Sequence, residues 1–136
     1  MDFSPSQTRK LLKISRITLY GRSEIFPLSV PERASRDYPL SSVSALYIIQ
    51  FWSKQKVPLS RIAKCDRQLA AFCQTFNPRG PQKEYLALAP KHKKAILFSE
   101  KDWVDQKMPF SPFDEHVLVA PISRLAVEMI GQILSS

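Results

Sequence analysis

Five residues, Asn77-Pro78-Arg79-Gly80-Pro81, restrict this chain more than any other stretch. Proline lacks an amide hydrogen and clashes with the preceding helical turn, and glycine loses the most backbone freedom on ordering. Two prolines and a glycine so close together end a helix and read as a linker over residues 77–81. The pattern differs on its two sides. Before it, apolar residues recur at helical spacing; after it come apolar runs of strand length. The expected fold class is therefore α+β. About four helices occupy residues 1–76, and a small three-stranded sheet with a closing helix occupies residues 82–136. With 136 residues and 44% apolar content, the chain suits one domain, or one small domain plus an appendage, with a real core.

The helical half opens on Ser4-Pro5, a capping residue followed by a proline where no amide hydrogen is needed. The spacing predicts a first helix over 5–12 with Leu11, Leu12 and Ile14 on its apolar side. A tight turn at Lys13-Ile14-Ser15 follows, then a second helix over about 16–23, capped by Ser15. Ile17, Leu19 and Tyr20 are its large residues. Two helices joined by a turn of about three residues form a helix-turn-helix, whose second helix usually enters the DNA major groove. Residues 26–39 hold Pro27, Pro31 and Pro39 with Arg33 and Arg36, and read as a loop or short hairpin. Residues 41–55 are helical and apolar around most of their surface, so burial on more than one side is expected. After a break at Lys54-Gln55-Lys56-Val57-Pro58, a fourth helix is expected over 59–75, with Leu59, Ile62, Leu69, Ala70 and Phe72 inward. Cys65 and Cys73 on that helix would stand roughly 12 Å apart along its axis. That is too far to form a disulfide with each other, so both read as buried structural thiols.

Beyond the linker, residues 85–89 and 95–98 predict two strands joined by the turn Pro90-Lys91-His92-Lys93-Lys94. Ser99-Glu100-Lys101-Asp102 has the form of a capping box, so a helical turn starts near Trp103. Residues 117–121 predict a third strand. Residues 123–134 predict a closing helix with Leu125, Ala126, Met129, Ile130, Ile133 and Leu134 on one stripe.

Charge is uneven along the chain. The net charge is +8, and residues 1–70 carry 12 Lys and Arg against 5 Asp and Glu. Residues 71–136 carry 8 against 7. One basic half points to a surface that meets a polyanion.

Ser15-Arg16-Ile17-Thr18-Leu19, Arg36-Asp37-Tyr38 and Val57-Pro58-Leu59-Ser60-Arg61-Ile62, in this order and spacing over residues 3–62, resemble the winged helix-turn-helix domain of MerR-type transcription regulators, with the phage-excisionase module close behind. Ser15-Arg16-Ile17-Thr18-Leu19 matches the Ser-x-x-Thr-Leu that opens the family's recognition helix. Arg36-Asp37-Tyr38 matches the Arg-x-Tyr that closes its wing. Val43, Leu46 and Ile49 fall at its spaced apolar positions, and Val57-Pro58-Leu59-Ser60-Arg61-Ile62 matches the entry to its fourth helix. The departures are lysine at 13 and 56, where the family usually has glycine, Arg9 at a usually small position, and Tyr20 and Arg22 where the family has Arg and Tyr. The resemblance implies a sequence-specific regulator that binds double-stranded DNA through Ser15, Arg16, Ile17, Thr18, Tyr20, Arg22, Arg33, Arg36 and Tyr38. Arg16 would reach a guanine or a phosphate, and Ile17 a thymine methyl. Thr18, Tyr20 and Arg22 would bond phosphates, and Arg33, Arg36 and Tyr38 would lie along the backbone or in the minor groove. In the family a long dimerising coiled coil follows the fourth helix. Pro78 and Pro81 cut that off here, so residues 82–136 are expected to form a homodimer interface, or to serve as a regulatory domain for a small-molecule or protein effector.

Other functions find less support. Cys65 and Cys73 form no Cys-x-x-Cys, and His92 and His116 lie apart, so no metal site is expected. Asp114-Glu115-His116 are adjacent, and consecutive strand residues point to alternate faces, so no catalytic residue and no enzyme is expected. Three dispersed glycines build no phosphate loop, and no cofactor is expected. The N-terminus has no signal-peptide pattern and no apolar run spans a bilayer, so a cytoplasmic, nucleoid-associated protein with no membrane partner is expected. Two alternatives stand beside the regulator: a protein-interaction adaptor built on a winged helix, and an excision-type factor that bends DNA.

Overall fold

The computed structural model describes residues 2–31, 37–112, 114 and 116–135. The fold is α+β: seven α-helices and two small antiparallel sheets among the described residues. Local signals set the first helices. Before α1 (Pro5–Leu12), Ser4 and Gln7 close a capping box, the Ser4 hydroxyl accepting the Gln7 N–H at 3.0 Å and the Gln7 side chain accepting the Ser4 N–H at 2.8 Å. The helix stops at Lys13, whose φ of 56° and ψ of 46° are left-handed, and the Arg9 carbonyl accepts the Lys13 and Ile14 amides. Next, α2 (Arg16–Ile25) starts at Ser15, whose hydroxyl accepts the Thr18 N–H at 3.1 Å.

The central element is α3 (Leu40–Lys54), which buries Val43, Ala45, Leu46, Ile48, Ile49 and Trp52. Gln50 Nε2 donates to the Leu12 carbonyl at 2.9 Å, tying the end of α1 to it. The loop before α3 forms no hairpin among the described residues. Its one strand, β2 (Tyr38–Pro39), pairs antiparallel with the N-terminal β1 (Asp2–Phe3).

The helix expected over 59–75 is two helices, α4 (Leu59–Ala63) and α5 (Asp66–Thr75). Asp66 accounts for the break. Its carboxylate accepts the amides of Leu28 at 3.0 Å and Ser29 at 2.9 Å, and its carbonyl accepts the Ser29 hydroxyl at 3.0 Å. Cys65, at φ −98° and ψ 8°, turns the chain so that Asp66 both begins α5 and holds the loop that follows α2.

In the second sheet, β3 (Tyr85–Ala89) lies between β4 (Lys94–Phe98) and β5 (Leu118–Ala120), antiparallel to both. Leu86 and Leu88 face the helices; Ala87 and Ala89 face a smaller cluster with Phe98, Phe110 and Val117. Ser99 and Asp102 close a second capping box at α6 (Glu100–Val104). The last helix, α7 (Ile122–Ser135), buries Leu125, Ala126 and Met129. The rest of the expected stripe is not fully covered: Ile130 and Ile133 are part-buried and Leu134 is 74% exposed.

Residues 76–84 contain no helix or strand, yet one core crosses them. It runs from Phe3 and Leu12 through α3 to Leu86, Leu118 and Leu125. Trp52 Nε1 donates to the Val119 carbonyl at 2.9 Å, joining the central helix to β5. No described helix is long and apolar enough to cross a membrane.

Candidate nucleic-acid interface

The turn and cap place α2 so that one side is anchored and the other is open. Leu19 is fully buried, which fixes the rotation of the helix about its axis. Two residues earlier, Ile17 projects into solvent and is 85% exposed. Arg16 is exposed beside it. Its Nε donates to the Tyr20 hydroxyl at 3.1 Å, and its guanidinium stands 5.3 Å from the Tyr20 ring centroid. This stacking restrains a long, exposed cation. Ser15 is spent on the helix cap, and its hydroxyl donates to Thr18 Oγ1 at 3.0 Å. Tyr20 is part-buried with its ring packed against the core.

The other expected contacts fare differently. Arg22 is part-buried, and that burial pushes its pKa below the ordinary guanidinium value. Arg33 and Arg36 lie outside the described residues. Tyr38 is a correction: its side chain is fully buried in the core, opposite Phe3 in the β1–β2 pair. An aromatic ring so enclosed packs the base of the loop and cannot lie along a nucleic-acid backbone.

Residues absent from the expected set add positive charge to the same region. Lys10 and Lys13 are exposed around the turn that precedes α2. Arg61 and Lys64 are exposed at α4, which packs against α2. Together with Ser60 and His116 they line a hollow of about 400 Å³. The sequence signal for Arg61 and Lys64 was the run of cations Lys54, Lys56, Arg61, Lys64 and Arg67; that α4 packs against α2 follows only from the fold.

Both cysteines are free and buried. Burial raises the Cys65 thiol to about 11 and the Cys73 thiol to about 12, so both are protonated at neutral pH. Among the described residues no three His, Cys, Asp or Glu side chains converge to hold a metal ion. No protein-family model, curated protein or solved structure matches this chain.

Proposed function

We propose that this protein is a regulator that binds double-stranded DNA with α2 in the major groove. The observation that carries this reading is the open side of α2, where Arg16, held by Tyr20, and Ile17, 85% exposed, occupy the first helical turn. A guanidinium suits guanine O6 and N7, and an exposed branched methyl suits the thymine methyl beside it. Lys10 and Lys13, exposed in α1 and the turn before α2, and Arg61 and Lys64, exposed at α4, add charge suited to phosphates. Support for a MerR-like arrangement comes from Lys13 and Lys56, which have φ of 56° and 69°. Those are the two positions where that family usually carries glycine, the residue that takes the left-handed conformation freely.

On this reading two copies associate through residues 82–136 and set two α2 helices about one DNA turn apart. The test is a mobility shift of the full chain on duplex DNA at two salt concentrations. With roughly 4–6 phosphate contacts per copy, affinity falls by about 0.9 log units per log unit of salt for each contact. Arg16→Ala is expected to weaken a matched site by about 1–3 kcal/mol and a scrambled site much less. Equal loss on both sites makes Arg16 a phosphate contact; absence of binding at low salt rejects DNA as the partner. Sedimentation of the full chain at tens of micromolar decides the dimer.

A further inference from the structure

The face of the second sheet turned away from Leu86 and Leu88 carries a cavity of about 410 Å³. Tyr85, Phe98, Trp103, Val119, Pro112 and Glu100 line it. Four different elements, β3, β4, α6 and β5, supply these side chains, with Pro112 from the loop between α6 and β5. Tyr85 and Phe98 are direct partners across the β3–β4 pair, and their rings stack at 5.2 Å with 28° between planes. Ala87, the next residue of β3 on that face, pairs with Val119 and is fully buried in the cluster with Phe98, Phe110 and Val117. Trp103, on the rim, remains 41% exposed.

Among the described lining residues the charged one is Glu100, an acid in a chain of net charge +8. Lys83 Nζ is paired with the capping-box carboxylate, Asp102 Oδ2, at 2.8 Å. The backbone of Glu100 is held, its N–H donating to Glu84 Oε1 at 3.1 Å. Its carboxylate has no cation partner among the described residues.

We infer that this cavity binds an organic cation: a quaternary or tertiary ammonium on an aromatic or aliphatic body. Aromatic faces attract a cation through the ring quadrupole, most strongly where water is excluded. Glu100 supplies the counter-charge, while Val119 and Pro112 take the apolar body. The volume lies in the range of small-molecule sites with apolar walls and few polar groups. An anion of the same shape meets the Glu100 carboxylate and the negative ring faces and is excluded. The inference does not rest on DNA binding.

The experiment uses the full chain and three probes of similar size: benzyltrimethylammonium, neutral benzyl alcohol and anionic phenylacetate. Calorimetry and tryptophan fluorescence report binding, and Trp103→Phe, which leaves only the buried Trp52, assigns the optical signal to the cavity. The expected result is saturable binding of benzyltrimethylammonium, about tenfold tighter than either other probe. Glu100→Gln is expected to weaken the cation severalfold and leave benzyl alcohol unchanged; Trp103→Ala, checked for native circular dichroism, weakens it by more than tenfold. Equal binding of the three probes, an unchanged affinity in Glu100→Gln, or no saturation by tens of millimolar cation overturns the inference.

Discussion

Lys13 and Lys56 hold left-handed backbone, with φ of 56° and 69°, at the ends of α1 and α3. An L-residue with a Cβ pays about 1 kcal/mol or more there, which glycine avoids. Lys13→Gly and Lys56→Gly are each expected to raise stability by about 1 kcal/mol, seen as a higher urea midpoint at unchanged slope. A lower midpoint would show that the lysine side chains contribute more than the strain. Asp66 works in the opposite sense. It is buried and satisfies the amides of Leu28 and Ser29. Asp66→Ala leaves both donors without their acceptor and is expected to destabilise by about 2–4 kcal/mol. Asp66→Asn keeps one acceptor oxygen and loses less. Equal urea midpoints for wild type and Asp66→Ala would remove Asp66 as the cause of the α4–α5 break.

Each short helix depends on its end groups, and α6 shows how this couples to pH. Asp102 accepts from Lys83 and from the Ser99 N–H, and these bonds lower its pKa from 3.8 to about 2. A carboxylate with a depressed folded pKa stabilises fully above its ordinary value. That contribution is lost as pH falls from 3.8 towards about 2. The capping box is therefore expected to open in that window, releasing the Ser99 N–H and the first turn of α6. An NMR titration checks it: the Asp102 carboxyl and the Ser99 amide are expected to titrate together near the lower end. An Asp102 midpoint near 4 contradicts the bonded geometry. Because α6 carries Glu100 and Trp103, its opening is also expected to weaken cation binding in acid.

The core that joins α3 to β3, β5 and α7 gives the chain one cooperative body of packing. Trp52, Leu46 and Ile49 are 3% exposed or less, and β5 and α7 are among the elements packed on α3. A chain truncated after Thr75 uncovers that side of α3 and strands the Trp52 indole N–H, which otherwise donates to Val119. Losing several buried contacts of about 1.5–3 kcal/mol each exceeds the stability of most small domains. The truncated chain is expected to lose near-ultraviolet dichroism and a sharp urea transition. If it unfolds at the same midpoint as the full chain, the two parts are thermodynamically separate.

Signals confined to a few neighbouring residues were legible. Ser4-Pro5 and Ser15 set the starts of α1 and α2, Ser99 through Asp102 set α6, and the apolar girth of residues 41–55 announced the burial of α3. In α2, Ile17 lies two residues before the buried Leu19, about 160° away round the helix, and is exposed. Contacts between distant segments were not legible. The break before Asp66 depends on amides 37 and 38 residues away. The burial of Tyr38 depends on a strand at the N-terminus, and the cavity walls come from four elements brought together by the sheet register. Capping, turn geometry and periodicity act over a few residues and leave their mark in local sequence. Long-range hydrogen bonds and shared burial follow from how the whole chain packs, so only the tertiary structure decided them.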